Sequence, residues 1–180
     1  MNQNIFLIGF MGSGKSHWGH IWAKKYSYFF NDLDTEIEKE CKMTVEEIFE
    51  KHGEEKFREM ERYHLRKFEN KKNYLLSCGG GTPCFFDNLE WMQQHGEIIY
   101  LKATPEYILQ RVMDETLKRP LIKEVNSSEL LFFIKEKLKE REPVYAKANH
   151  ILEAEKLTAD SISFLQKPAS KKIKRIKRIT

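Results

Sequence analysis

Short apolar runs alternate with longer amphipathic segments along most of the chain. The apolar runs predict strands at residues 4–8, 28–31, 73–78, 97–102 and 150–153. The amphipathic segments predict helices at residues 16–26, 34–42, 44–53, 54–70, 89–95, 105–113, 128–145 and 158–166. Because the strands are separated by helices, we expect a three-layer α/β/α domain with a central five-stranded parallel sheet.

Several of the predicted helix ends carry local signals. Thr35 with Glu38, and Thr44 with Glu47, have the spacing of capping boxes. Gly53 is expected to end the helix that Thr44 begins.

Three features fall where predicted strands end: the segment 9–16, the pair Asp32 and Asp34, and the run 79–81. In parallel sheets of this kind, ligands bind at the carboxyl ends of the strands. We therefore expect these features to converge on one site.

The segment 9–16, GFMGSGKS, fits the phosphate-binding loop pattern G-x-x-x-x-G-K-[ST]. Its glycines allow backbone N–H groups to surround a polyphosphate, while Lys15 reaches the β- and γ-phosphates. The Ser16 hydroxyl can bind Mg²⁺. The position of this loop between a strand and a helix predicts a P-loop NTPase type of fold.

Asp32 and Asp34 admit two interpretations. On a regular strand, residues two apart face the same side, so both carboxylates can serve Mg²⁺ and an attacking hydroxyl group. Alternatively, Asp34 only caps the next helix. Spacing alone does not decide between them.

The run Gly79, Gly80 and Gly81 either lets a ligand approach the main chain or forms a tight turn, and we favour the ligand. Among the arginines, Arg58, Arg119 and Arg141 are candidates for binding carboxylate or phosphate. Arg119 lies in a polar segment, about 112–126, that we predict to be a lid.

Length and composition point to one domain at residues 1–167, followed by a basic tail at 168–180. The net charge is +4, but the last ten residues carry six positive charges, so the other 170 have a net charge of −2. Such a tail can contact RNA or anionic lipid, although we favour a flexible, solvated end.

No apolar run is long enough to span a membrane, and no signal peptide is evident, so we expect a cytoplasmic monomer. The three cysteines lack the close pairing of metal ligands. His17 and His20 are interpreted as surface or packing residues of the first helix, since no third metal ligand lies nearby.

Over residues 4–166 the chain resembles the shikimate kinase family. The resemblance rests on an ordered set of motifs: GFMGSGKS at 9–16, Asp32-x-Asp34, Gly53-Glu54…Phe57-Arg58…Glu61, Gly79-Gly80-Gly81, Arg119-Pro120-Leu121 and Arg141-x-Pro143-x-Tyr145. It implies ATP-dependent phosphorylation of the shikimate 3-hydroxyl group, in aromatic amino acid biosynthesis.

The resemblance also implies roles for single residues. Asp34 binds the shikimate hydroxyls and acts as base, Asp32 holds Mg²⁺ through water, and Arg119 closes onto the phosphates. The substrate contacts fall to Arg58 and Arg141, which hold the carboxylate, and to Gly80, whose N–H binds a hydroxyl group, with its neighbours Gly79 and Gly81. The ATP contacts fall to Gly12, Ser13, Gly14, Lys15, Ser16, His17 and Arg119.

The chain departs from the family pattern at three places. Position 17 is His where the family usually has Ser or Thr, and the lid is about one residue longer between Arg111 and Arg119, which leaves open a role for Arg111 beside adenine. The basic tail lies outside the pattern. Two rival functions remain: a related P-loop kinase acting on gluconate or a nucleoside monophosphate, and a non-catalytic module that binds nucleotide or shikimate.

Overall fold

The computed structural model describes residues 4–117 and 126–166. Within these ranges the strands are β1 (Ile5–Ile8), β2 (Phe29–Asp32), β3 (Tyr74–Ser77), β4 (Glu97–Lys102) and β5 (His150–Glu153). The α-helices are α1 (Lys15–Tyr26), α2 (Leu33–Cys41), α3 (Val45–Arg66), α4 (Asn88–His95), α5 (Pro105–Leu117) and α6 (Ser127–Tyr145). Short 3₁₀ turns occupy Thr82–Cys84, Ala154–Lys156 and Ser163–Gln166.

The strands form one five-stranded sheet in the order β2-β3-β1-β4-β5, with parallel pairing throughout. This confirms the fold class that the sequence predicts. The central strand β1 pairs with β3 on one side and β4 on the other. Its carboxyl end, where the phosphate-binding loop begins, therefore lies in the middle of the sheet edge.

Alternate residues of β1 enter different cores. Phe6 and Ile8 pack with α2, α3 and α4, whereas Ile5 and Leu7 pack with Trp22 of α1. All four residues of β1 are fully buried. Because successive strand residues face opposite sides of the sheet, this division produces the three layers.

The start of α2 differs from the prediction. Its N-cap is Asp32, whose carboxylate accepts a 3.4 Å hydrogen bond from the Thr35 backbone N–H. Glu38 instead accepts from the Val45 backbone N–H at 2.9 Å, so the capping box of Thr35 and Glu38 was a wrong prediction.

The start of α3 agrees with the prediction, since Thr44 and Glu47 form the reciprocal capping box. Gly53 interrupts the helical geometry with φ 78° and ψ 171°, although the helix resumes directly and continues to Arg66. The Gly53 break sets the direction of the second half of α3, which carries Arg58 and Glu61.

The predicted helix at 158–166 was wrong, because only the turn Ser163–Gln166 forms there. Ser161 Oγ accepts from the Thr158 backbone N–H at 2.8 Å, and Thr158 Oγ1 accepts from the Asp160 N–H at 3.2 Å. Such local side-chain hydrogen bonds compete with helix formation.

Across residues 4–117 and 126–166, none of the helices combines the length and the apolar character needed to cross a lipid bilayer. Residues 118–125 of the predicted lid and the whole predicted tail at 168–180 lie outside the described residues.

Candidate active site

The carboxyl ends of β1, β2 and β3 surround a cleft of about 270 Å³. Its walls bring together the phosphate-binding loop, both aspartates and the glycine run. The lining residues are Met11, Gly12, Gly14, Lys15, Ser16, His17, Asp32, Asp34, Ser77, Cys78, Gly79, Gly80 and Arg111. The convergence that the strand ends predict is therefore present in the structure.

Lys15 begins α1 and is held by the loop that precedes it. Its Nζ donates hydrogen bonds to the carbonyl oxygens of Gly9 at 2.9 Å and Phe10 at 3.0 Å. Burial lowers the pKa of Lys15, and the neighbouring carboxylates of Asp34 and Asp32 oppose that shift. No acidic side chain occupies the first turn of α1, so the positive end of this helix suits an anionic ligand.

Oxygen atoms cluster beside the loop. Ser16 Oγ donates to Asp32 Oδ2 at 2.6 Å and lies 3.3 Å from Ser77 Oγ. Hard oxygen donors of this kind suit Mg²⁺, which commonly uses one or two protein ligands with phosphates and water. Within the described residues, no group of three or more His, Cys, Asp or Glu side chains can hold a metal ion alone.

Asp34 lies in the first turn of α2, and the cap of that helix is Asp32, so the capping interpretation of Asp34 was wrong. The strand alternation expected for Asp32 and Asp34 was also wrong, because β2 ends at Asp32, although both side chains line the cleft. Its Oδ1 is buried without a hydrogen-bond partner among the described residues. Burial, together with the nearby Asp32 and Glu61 carboxylates, raises the pKa of Asp34 to about 6. A carboxylate in this state is suited to accept a proton from a bound hydroxyl group.

Close approach explains two of the three glycines. A Cβ atom on Gly79 would lie 2.6 Å from Glu61 Oε1 and 2.9 Å from Asp34 Oδ1, and one on Gly81 would lie 2.6 Å from Arg58 Nη1. The glycine run also forms a tight turn, because the Thr82 N–H donates to Gly79 O at 3.1 Å. The turn interpretation is therefore confirmed, whereas the approach of a ligand to the main chain stays a prediction.

Arg58 is buried beside this turn on α3. Its Nη1 donates to Glu61 Oε2 at 2.7 Å, and its Nη2 donates to Glu54 Oε1 at 2.7 Å. The guanidinium group lies 4.4 Å from the centre of the Phe85 ring. Glu61 is fully buried, whereas more than half of the Glu54 side chain is exposed.

Arg141 approaches the turn from α6. Its Nη1 would lie 3.5 Å from a Cβ atom on Gly80, and its guanidinium group lies 5.6 Å from the centre of the Phe10 ring. Tyr145, one helical turn further along α6, donates from Oη to Gly80 O at 2.5 Å. The structure thus places the two guanidinium groups beside the glycine run.

The structure also shows the contacts of His17, His20 and Arg111. His17 is exposed at the cleft and contacts Trp18 edge to face, with 5.3 Å between ring centres. His20 Nδ1 lies 2.7 Å from Ser16 O. Arg111 Nη1 donates to Tyr107 Oη at 3.1 Å. Arg119 lies outside the described residues.

The sequence interpretation gave no role to four residues at this site. Ser77 lies beside Ser16, Thr82 donates to Glu61, and Tyr145 binds Gly80. Glu61 and Tyr145 belong to the quoted motifs, and Ser77 and Thr82 flank the glycine run closely. Motif membership was thus the available signal for Glu61 and Tyr145, and proximity to the glycine run was the signal for Ser77 and Thr82.

Comparison with known proteins gives a consistent result. The sequence model of the shikimate kinase family, described as "SKI: Shikimate kinase", matches residues 11–177. The shikimate kinase of Phocaeicola vulgatus is 41% identical over 153 residues, which are 85% of this chain and 87% of that protein.

Two solved structures are similar in fold as well as in sequence. The crystal structure of shikimate kinase from Bacteroides thetaiotaomicron has a TM-score of 0.78 and 34% identity, covering 91% of this chain and 92% of that one. Shikimate kinase from Acinetobacter baumannii, solved in complex with shikimate, has a TM-score of 0.76 and 34% identity, covering 91% of this chain and 89% of that one. The extent and identity of these matches establish that the chain belongs to the shikimate kinase family.

Proposed function

We propose that this chain transfers the γ-phosphoryl group of ATP to the 3-hydroxyl group of shikimate, giving shikimate 3-phosphate and ADP. Membership of the family supports shikimate kinase activity, the use of ATP and a place in aromatic amino acid biosynthesis. The observation that carries the residue-level proposal is the buried, unpartnered Oδ1 of Asp34 in the same cleft as Lys15.

Asp34 is the proposed base. As the 3-hydroxyl oxygen attacks the γ-phosphorus atom, its proton passes to the Asp34 carboxylate, and the bond between phosphorus and the β,γ-bridging oxygen breaks. The raised pKa of Asp34, about 6, leaves it ionised at neutral pH and still able to hold a proton.

Lys15 is the proposed phosphate ligand, together with the backbone N–H groups of residues 12–17. The carbonyl oxygens that now accept from Lys15 belong to the loop itself, so the ammonium group is already positioned beside the phosphate-binding backbone. Positive charge fixed in advance stabilises the charge on the transferring phosphoryl group. The same role is proposed for Arg119 on the resemblance alone.

Ser16 and Asp32 are the proposed ligands for Mg²⁺, with Asp32 acting through water. Their oxygens are already within 2.6 Å of each other, and the donor set consists of a hydroxyl group and a carboxylate. When bound, the ion supplies charge neutralisation at the nucleotide phosphates.

Arg58 and Arg141 are the proposed ligands for the shikimate carboxylate, and the Gly80 N–H is the proposed donor to a shikimate hydroxyl group. Support comes from the position of the two guanidinium groups beside the glycine run. A planar guanidinium group binds a carboxylate through two parallel hydrogen bonds. A monomeric state and a cytoplasmic location remain predictions.

The test is ADP release from ATP and Mg²⁺ with shikimate, gluconate or AMP as acceptor. We expect release that requires shikimate. Release only with gluconate or AMP would contradict the proposed acceptor. The absence of release with every acceptor, in protein that binds ATP, would favour the non-catalytic alternative.

A further inference from the structure

The fully buried carboxylate of Glu61 joins two parts of the site. Its Oε2 accepts from Arg58 Nη1 at 2.7 Å, and its Oε1 accepts from the hydroxyl group of Thr82. Burial raises the pKa of Glu61, whereas Arg58 and the Thr82 hydroxyl oppose that shift. Each carboxylate oxygen therefore has one strong donor in a place that water does not reach.

Thr82 is itself held rigidly. Its side chain is fully buried, and its carbonyl oxygen accepts from Asn88 Nδ2 at 2.9 Å. Asn88, also fully buried, accepts at Oδ1 from Arg66 Nη1 at 3.4 Å. A chain of hydrogen bonds thus runs from the start of α4 through Thr82 to the carboxylate beside Arg58.

We propose that Thr82 is a positioning residue for the substrate: its hydroxyl group fixes Glu61, and Glu61 fixes the guanidinium plane of Arg58 for the shikimate carboxylate. The proposal rests on the proposed role of Arg58. It assigns a substrate-affinity function to a residue for which no phosphate-binding or base role is proposed.

The physical reason lies in the difference between the two acidic partners of Arg58. Glu54 is largely exposed and can be exchanged for water or for a substrate carboxylate. Glu61 cannot be exchanged in this way, because its side chain is only 1% exposed. Removal of the Thr82 hydroxyl leaves one buried oxygen of Glu61 without a donor among the described residues, which favours protonation or rotation of the carboxyl group. Either change weakens the contact that orients Arg58.

The test compares Thr82→Val and Thr82→Ala, which lack the hydroxyl group, with Thr82→Ser, which keeps it. Kinetics of the full chain give KM for shikimate, KM for ATP and kcat, and thermal melting shows which variants fold. Thr104→Val is the matched control, because Thr104 Oγ1 donates to the Glu155 carboxylate at 2.8 Å in an exposed pair. Arg58→Gln tests the proposed function separately.

We expect KM for shikimate to rise about tenfold in Thr82→Val and Thr82→Ala, with KM for ATP unchanged. Thr82→Ser and Thr104→Val should keep the normal KM for shikimate. If one hydroxyl-free variant does not fold, the other carries the comparison with Thr82→Ser. A purely structural role would lower the melting temperature without this selective change.

Two results would overturn the inference: a normal KM for shikimate in a folded hydroxyl-free variant, or a KM raised equally in Thr82→Ser. A normal KM for shikimate in Arg58→Gln would contradict the proposed role of Arg58 instead. The two failures are therefore distinguishable.

Discussion

Tyr145 Oη and Gly80 O are joined by a hydrogen bond of 2.5 Å that ties the end of α6 to the glycine run. The Tyr145 side chain is fully buried, and its ring centre lies 5.0 Å from that of Tyr100. Arg141 lies one helical turn earlier on the same helix. The contact therefore holds a proposed carboxylate ligand and a proposed hydroxyl ligand at a fixed separation.

Tyr145→Phe should raise KM for shikimate several-fold and lower the free energy of unfolding by about 1–2 kcal/mol, because the Gly80 carbonyl loses its donor. Steady-state kinetics and thermal melting measure the two effects. Tyr74→Phe is the matched control, since Tyr74 is equally buried and its Oη has no partner among the described residues. Similar losses in both variants would mean that the Tyr145 hydroxyl has no special role.

Asp32→Asn should raise the Mg²⁺ concentration needed for half-maximal activity by about tenfold, because the proposed metal site loses its carboxylate charge. Asn and Asp are comparable N-caps, so α2 should keep its stability. Activity is measured against Mg²⁺ at saturating ATP and shikimate, and the melting temperature is measured alongside. An unchanged Mg²⁺ requirement in the folded variant would remove Asp32 from the metal site.

Asp34→Asn should make the ligand-free protein more stable at pH 7.5 than the wild type. The pKa of Asp34 is raised from 3.8 to about 6, so the folded state favours the protonated form. The stability contributed by protonated Asp34 is fully present below pH 4 and is lost as the pH rises through 6. The buried charge then costs up to about 3 kcal/mol, which Asn avoids.

Melting temperatures at pH 4.5 and 7.5, without Mg²⁺ or nucleotide, measure this effect. The advantage of Asp34→Asn should shrink at the lower pH. Asp160→Asn is the control, and its effect on stability at pH 7.5 should have the opposite sign, a loss. The reason is that the hydrogen bond from Lys25 lowers the pKa of Asp160 and so favours the ionised form in the folded state. A stability gain for Asp34→Asn that did not depend on pH would contradict the electrostatic explanation.

The sequence predicts the sheet well because strand and helix periodicities are local. The bounds of β4 and β5 agree with the prediction, and the phosphate-binding loop follows β1 as its motif requires. The prediction failed where competing side chains decided the local structure. The N-cap of α2 is Asp32 instead of Thr35. At residues 158–166, hydrogen bonds to the hydroxyl groups of Thr158 and Ser161 stabilise turns where a helix was predicted.

The site was predictable only as far as its motifs. Lys15, Ser16, Asp32 and Asp34 stand out by type and position, and the structure brings them together. The residues that hold Arg58 in place could not be identified from the sequence in the same way. Glu61 lies one helical turn from Arg58 on α3. The second partner of Glu61 is Thr82, which is 21 residues further along the chain and reaches Glu61 because α3 packs against the glycine turn.

The most direct test of the account is the rate of shikimate 3-phosphate formation by Asp34→Asn at saturating ATP, Mg²⁺ and shikimate, with binding of ATP measured in parallel. We expect kcat to fall by about 10²–10⁴-fold, as loss of a general base does, while ATP binding is retained. A rate close to that of the wild type would show that Asp34 is not the base and would contradict the mechanism.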